Sequence, residues 1–268
     1  MIGNARIPSL RGMFRVWQRN MTIFRKYWKT ILLPNFIEPL LYLTALGLGL
    51  GAYIRGGGVE GQTYYQYVAP GLLASNAMFA ASFESTFNTF VKLKVRRVYD
   101  AIVATPVNVE DVVAGEYLWA GTRAALYGTG FLAMLTALGF VFSPDALLIR
   151  SWWALLIPPV LLLIGVMFSI MGTLFTSLID SIDLYSYYFT LVVTPLFLFS
   201  GIFFPVNEFP APVPQIAWLT PLYHAVDVCR GLATGPTAGI LADVAWIFVF
   251  AILLSLFPIH FMRRRIIG

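Results

Sequence analysis

Charge is scarce in this chain. Asp, Glu, Lys and Arg make up 12% of its 268 residues, about half the ~25% of ordinary soluble domains. With 59% hydrophobic and 16% aromatic residues, that shortage excludes a soluble globular domain, and disorder as well. The lone cysteine, Cys229, cannot form an intrachain disulfide. Two histidines, His224 and His260, do not make a closed metal site, so no metal ligands are assigned. HExxH, GxSxG and GxxxxGK(S/T) patterns are missing too, so no catalytic residues and no cofactor are assigned to the chain. Any nucleotide energy must come from another polypeptide. What remains is an all-α polytopic membrane protein, in which six helices of ~20 residues would use roughly 120.

Acids are absent from residues 1–31, which carry Arg6, Arg11, Arg15, Arg19, Arg25, Lys26 and Lys29. No short apolar core with a cleavage site follows, so this segment does not read as a signal peptide. Arg11, Arg15 and Arg19 share one helical face, while Leu10, Phe14, Trp17, Met21, Phe24 and Trp28 fall on another. That pattern suits a basic amphipathic helix lying in the membrane interface, with a soluble partner-binding helix as the alternative.

Six apolar runs follow: residues 32–54, 65–91, 112–142, 152–178, 184–204 and 240–261, separated by charges or Gly/Pro pairs. Pro34, Glu38 and Pro39 are expected to interrupt the first. With six spans both termini share a side, and that side holds fourteen bases against three on the other, Arg55, Arg150 and Arg230. The asymmetry predicts cytoplasmic termini and contact with anionic lipid, and it explains the net charge of +5 without a nucleic-acid partner.

Between the second and third runs, Val95, Val98, Tyr99 and Ile102 recur at helical spacing and Thr105-Pro106 closes the segment. The spacing predicts an amphipathic helix of about three turns, edged by Arg96, Arg97 and Asp100. It is either a lever for a partner protein or a helix resting on headgroups. Lys92 and Lys94 are read as snorkelling bases at the preceding span's end. Asn108, with Asp111 three residues on, reads as an N-cap. Farther on, Phe204, Pro205, Pro221 and His224 belong to a segment with prolines at 205, 210, 212, 214 and 221. It is too apolar for a free loop and too proline-rich for one helix, so a re-entrant segment of broken helices is expected.

Glu38, Glu84 and Arg123 lie inside apolar runs, where a charge costs ~2.5–3.5 kcal/mol on insertion scales. Either an acid contacts substrate, or Arg123 satisfies one acid in a buried pair; the pair is preferred. Tyr64, Tyr65, Tyr67, Trp152, Trp153 and Trp218 read as an interfacial aromatic belt. Asp180 and Asp183 read as a solvated turn, and Gly47, Gly49 and Gly51 as a site of close helix approach.

Taken in order, Glu38-Pro-Leu-Leu-Tyr-Leu, the Gly47/Gly49/Gly51 run, Ala69-Pro-Gly71, Tyr99-Asp-Ala-Ile102 with Ala104-Thr-Pro106, Ser200-Gly-Ile-Phe-Phe-Pro205 and Pro221-Leu-Tyr-His-Ala-Val-Asp227 resemble type-2 ABC exporter permeases, most closely the nodulation-protein-J-like branch. The resemblance spans nearly the whole chain. It implies a homodimer served by two separate ATPase subunits that bind ATP and Mg. Residues 1–31 would then be a connecting helix, 32–268 the six-span domain, and 94–105 the coupling helix. Val98, Tyr99 and Ile102 would fill a groove on the ATPase, and Arg96, Arg97 and Asp100 would orient the contact. The cargo would be an amphiphile, either a lipooligosaccharide-like glycoconjugate or a hydrophobic drug, exported across a bacterial inner membrane. A secondary transporter using Glu38 or Glu84 as a proton site is the competing class.

Overall fold

The computed structural model describes residues 7–45, 59, 62–142, 151–235 and 238–267, apart from the side chains of residues 30–36, 38, 39, 42, 43, 138–142 and 267. Among these residues every regular element is helical. The run containing Gly47, Gly49 and Gly51 lies outside them.

Helix α1, Leu10–Thr44, is continuous. The expected interruption at Pro34 and Pro39 does not occur. Proline removes one N–H and crowds the preceding turn, but in an apolar segment no water competes for the remaining ladder, so the helix persists. Its first half buries only part of the stripe read in the sequence: Phe24 is buried with Trp17 and Met21 packed beside it, Val16 and Asn20 join it, and Leu10, Phe14, Tyr27 and Trp28 are exposed beside Arg11 and Arg15. An exposed face mixing apolar rings with bases suits a membrane interface.

α2, Tyr64–Phe83, starts at a capping box in which Thr63 Oγ1 accepts from the Gln66 N–H and Gln66 Oε1 accepts from the Thr63 N–H. It continues through two wide π-helical turns, Glu84–Asn88 and Val91–Val95. Arg97, with φ 46°, turns the chain into the six-residue α3, Val98–Val103. α4, Val109–Phe142, begins where Asp111 accepts from the Asn108 N–H at 3.2 Å. α5, Trp152–Leu178, starts on Ser151, whose hydroxyl accepts from the Trp153 N–H; α6 is Ile182–Phe199. α7, Val213–Trp218, and α8, Pro221–Thr234, lead to α9, Ile240–Ile267.

The centre of the bundle is α4 against α5, with α2 packed on both. Small residues set that closeness. A Cβ on Gly121 would lie 2.8 Å from the Leu162 carbonyl, and one on Gly165 would collide with Ala124. Gly115 does the same for α1, since its Cβ would meet Val16 at 2.7 Å. α5, α6 and α9 are long and apolar enough to cross a membrane. α9 exposes Leu241, Phe248, Val249, Ile252, Leu253, Leu256 and Phe257, a face that water would disfavour and acyl chains would not.

Candidate functional site

Two helical stripes meet near one end of the bundle. Glu84, Asn88 and Lys92 recur every four residues at the end of α2; Glu116, Trp119, Arg123 and Tyr127 line one face of α4. The structure interlocks them. Arg123 donates to Glu84 Oε2, Lys92 Nζ lies 2.8 Å from Glu84 Oε1 and 2.7 Å from Glu116 Oε2, and Asn88 Nδ2 donates to Glu84 at 2.6 Å. Trp119 Nε1 donates to Glu84 Oε1 at 3.0 Å, and the Arg123 guanidinium reaches the Tyr127 hydroxyl at 2.6 Å. Glu84 is 3% exposed and Glu116 5%. Two acids and two bases make a neutral buried cluster with nearly every lone pair of Glu84 engaged, which is how charge is tolerated in an apolar interior.

The sequence leads to Arg123 satisfying one acid without saying which; the structure sets it against Glu84 and adds Lys92 and Glu116. Lys92 does not snorkel outward: the π turns carry the helix on to Val95 and bring its ammonium back over α4. The side chain of Glu38 lies outside the described residues.

At the same end of the bundle, α3 is shorter than the three turns expected. Its apolar side turns inward. Tyr99 is fully buried, and Val98, Ile102 and Val103 pack on the core. Tyr99 is therefore not available to fill a groove on another protein, because α2 and α4 already cover it. Burial pushes its hydroxyl well above the ordinary range for tyrosine. Arg96, Arg97, Asp100, Ala101, Ala104 and Thr105 form the outer face. Both ends of the chain converge here: the Ser9 N–H donates to Asp111 at 2.5 Å, and Arg263 pairs with Glu110 at 3.1 Å. Asp180 is no free solvated turn residue, although it is exposed. It bridges Lys94 at 3.3 Å and Arg265 at 2.6 Å, and the Lys94 hydrogen bond with the Arg265 charge holds its carboxyl below the usual range.

The opposite end holds the proline-rich segment. Pro205 precedes a 3-10 turn, Val206–Glu208, Phe204 is half exposed, and Pro221 opens α8 as its first residue. His224 is buried, with Nδ1 2.8 Å from Asp243 of α9 and Nε2 2.7 Å from the Trp218 carbonyl; its partner is not the nearby Asp227. Arg230, counted in the sequence only as a base on the side away from the termini, lies 4.1 Å over the Tyr67 ring and donates to the Gly201 carbonyl at 2.8 Å. Tyr64 and Tyr67 donate to the Phe203 and Gly201 carbonyls, and Tyr65 to that of Leu135. Tyr64 and Tyr67 are not a lipid-facing belt: chain after α6 leaves helical geometry at Gly201, φ 77°, and its carbonyls need donors, whereas half-buried Tyr65 reaches a carbonyl inside α4. Trp152 and Trp218 are exposed.

A helical bundle with lipid-compatible faces, a neutralised ion cluster at one end and a proline-broken segment at the other has the build of a multi-pass membrane protein. The chain belongs to the ABC-2 type transporter family, whose model matches residues 12–233. Nodulation protein J of Rhizobium meliloti (strain 1021) is 33% identical over 253 residues, covering 94% of this chain and 92% of that protein. Nodulation protein J of Rhizobium leguminosarum bv. viciae is 34% identical, with 94% and 93% covered. Inner membrane transport permease YadH of Escherichia coli (strain K12) is 27% identical over 218 residues, with 80% of each chain covered. The chain is thus a multi-pass membrane protein with the role of a transport permease.

Proposed function

We propose that this permease is the membrane subunit of an ATP-driven exporter. It works as a six-span homodimer in a bacterial inner membrane, with both termini cytoplasmic. Two separate ABC ATPase subunits bind ATP and Mg, and α3 couples them to the path. The cargo is an amphiphile, either a lipooligosaccharide-like glycolipid or a hydrophobic drug. The half of α1 before residue 32 is the connecting helix, and the segment around Phe204, Pro205, Pro221 and His224 dips back into the membrane to close the outer end.

The observation that carries this reading is the two-sided build of α3. Its apolar side is locked into the core through Tyr99, while Arg96, Arg97 and Asp100 stand outward. A short helix fixed on one side and charged on the other transmits a push instead of absorbing it, because packed interiors deform little. Val98 and Ile102 serve as its anchor, and Arg96, Arg97 and Asp100 orient the ATPase. Closing of the ATPases moves α3, and α3 moves the α2–α4 ion cluster that abuts it. The driving force is the ATPase's differential affinity for the two arrangements.

Proteoliposomes containing this chain and a cognate ABC ATPase test the proposal. Fluorescent lipid-linked oligosaccharide should move only when ATP and the ATPase are both present. Movement by the chain alone under a proton gradient would overturn it in favour of secondary transport. The geometry speaks against that alternative at Glu84, whose carboxylate is held by Lys92, Arg123, Asn88 and Trp119 together.

A further inference from the structure

A cavity of about 260 Å³ opens between α1, the π-turned end of α2 and the start of α3. Its lining brings four bases, Arg19, Lys92, Arg96 and Arg123, against one acid, Glu84. Lys92 and Arg123 are spent on the buried cluster. Arg19 only donates to Asn20 Oδ1 at 3.0 Å, and Arg96 has no ion pair or side-chain hydrogen bond among the described residues. Even with Glu116 counted behind Lys92, bases exceed acids by four to two. Asn20, 3% exposed, lines the same cavity with its Nδ2 lacking any acceptor.

Surplus guanidinium charge and a buried, unmatched donor on one wall call for an anion with several acceptor oxygens. The volume falls just short of the ~300–1,000 Å³ of small-molecule pockets, so it admits a headgroup and not a whole amphiphile. One wall is the arm of α1, where Ile23 at the cavity edge is half exposed and Tyr27 and Trp28 follow it on the surface. An interfacial helix of this kind delivers headgroups to the cavity mouth at high local concentration.

We propose that this cavity binds the phosphate of an anionic glycerophospholipid. Arg19 and Arg96 pair with its oxygens, Asn20 Nδ2 donates to it, and the acyl chains leave along α1 past Ile23. A bound lipid then ties the arm to the entry of α3 and completes the charge balance around the ion cluster. The inference needs only a membrane-embedded chain and not the ATPase or a direction of transport; where lipid holds Arg96, the ATPase contact proposed above falls to Arg97 and Asp100.

The test is native mass spectrometry of the purified, delipidated protein titrated with phosphatidylglycerol, phosphatidylcholine or inorganic phosphate. The parent should retain one phosphatidylglycerol per chain and no phosphatidylcholine. Arg19→Gln with Arg96→Gln should lower that retention about tenfold or more. Arg15→Gln, which removes a base from the exposed face of α1, should not. Equal retention of the two lipids by the parent overturns the proposal without recourse to any variant. Equal loss in Arg15→Gln overturns it too, since general attraction would then suffice. Displacement of the lipid by inorganic phosphate at equal concentration overturns the lipid assignment in favour of a soluble phosphate.

Discussion

Lys92 sits at the end of α2, yet its ammonium lies 2.7 Å from the carboxylate of Glu116 on α4. That contact joins two helices at the level where α3 branches off. It makes the ion cluster a mechanical junction as well as a means of burying charge.

Removing one member of such a cluster leaves its partners charged and unmatched. Glu84→Ala should therefore lower stability by about 3–5 kcal/mol. The double variant Glu84→Met with Arg123→Met should cost less than the single one, because no lone guanidinium is stranded. Thermal unfolding in detergent, followed by intrinsic fluorescence, checks the order. A double variant no better than Glu84→Ala would show that the pair is not the unit of stability.

The α4–α5 crossing depends on the lack of side chains at Gly121 and Gly165. Gly165→Val must push Ala124 and the α4 backbone aside, and overpacking of this kind costs about 1–3 kcal/mol. Gly235→Ala has open space around its Cβ but sits at φ 139°, so its smaller penalty comes from backbone strain alone. Accumulation in the membrane and detergent melting temperature should both rank Gly165→Val as the worse.

Arg230→Lys keeps the charge but loses the flat stack on Tyr67 and the reach to the Gly201 carbonyl. Lysine is a point charge and cannot replace a planar fork. A loss of about 2 kcal/mol is expected for a desolvated stack. Limited proteolysis should show the exposed stretch at 204–219 cut faster in the variant than in the parent. Unchanged cleavage would mean that Tyr64 and Tyr67 hold that segment unaided.

How much of this was readable beforehand depended on whether the reason was local. That Arg123 needs an acid was legible because a charge inside an apolar run demands a partner; that the acid is Glu84 rather than Glu38 was not. Lys92 was not, since a base at the end of a run has water as an equally good destination, and only the π turns send it inward. The helix at 98–103 was visible in its spacing, but spacing does not say whether its apolar side meets another protein or its own core. The tyrosines at 64 and 67 were misread for a similar reason. A belt and a set of donors look alike until the non-helical carbonyls at Gly201 and Phe203 are in place.

The two sides of α3 should separate cleanly on mutation. Tyr99→Ala empties a fully buried site and should cost about 3–5 kcal/mol, the range for losing a large aromatic. Arg97→Glu with Asp100→Lys touches only the exposed face and should leave the stability within about 0.5 kcal/mol of the parent's. If α3 is the coupling element proposed above, that double variant should lose co-purification with the ABC ATPase while the permease stays folded. Size-exclusion chromatography and thermal melts establish folding, and affinity capture reads the partner. Capture equal to the parent's, with folding intact, would move the ATPase contact away from α3.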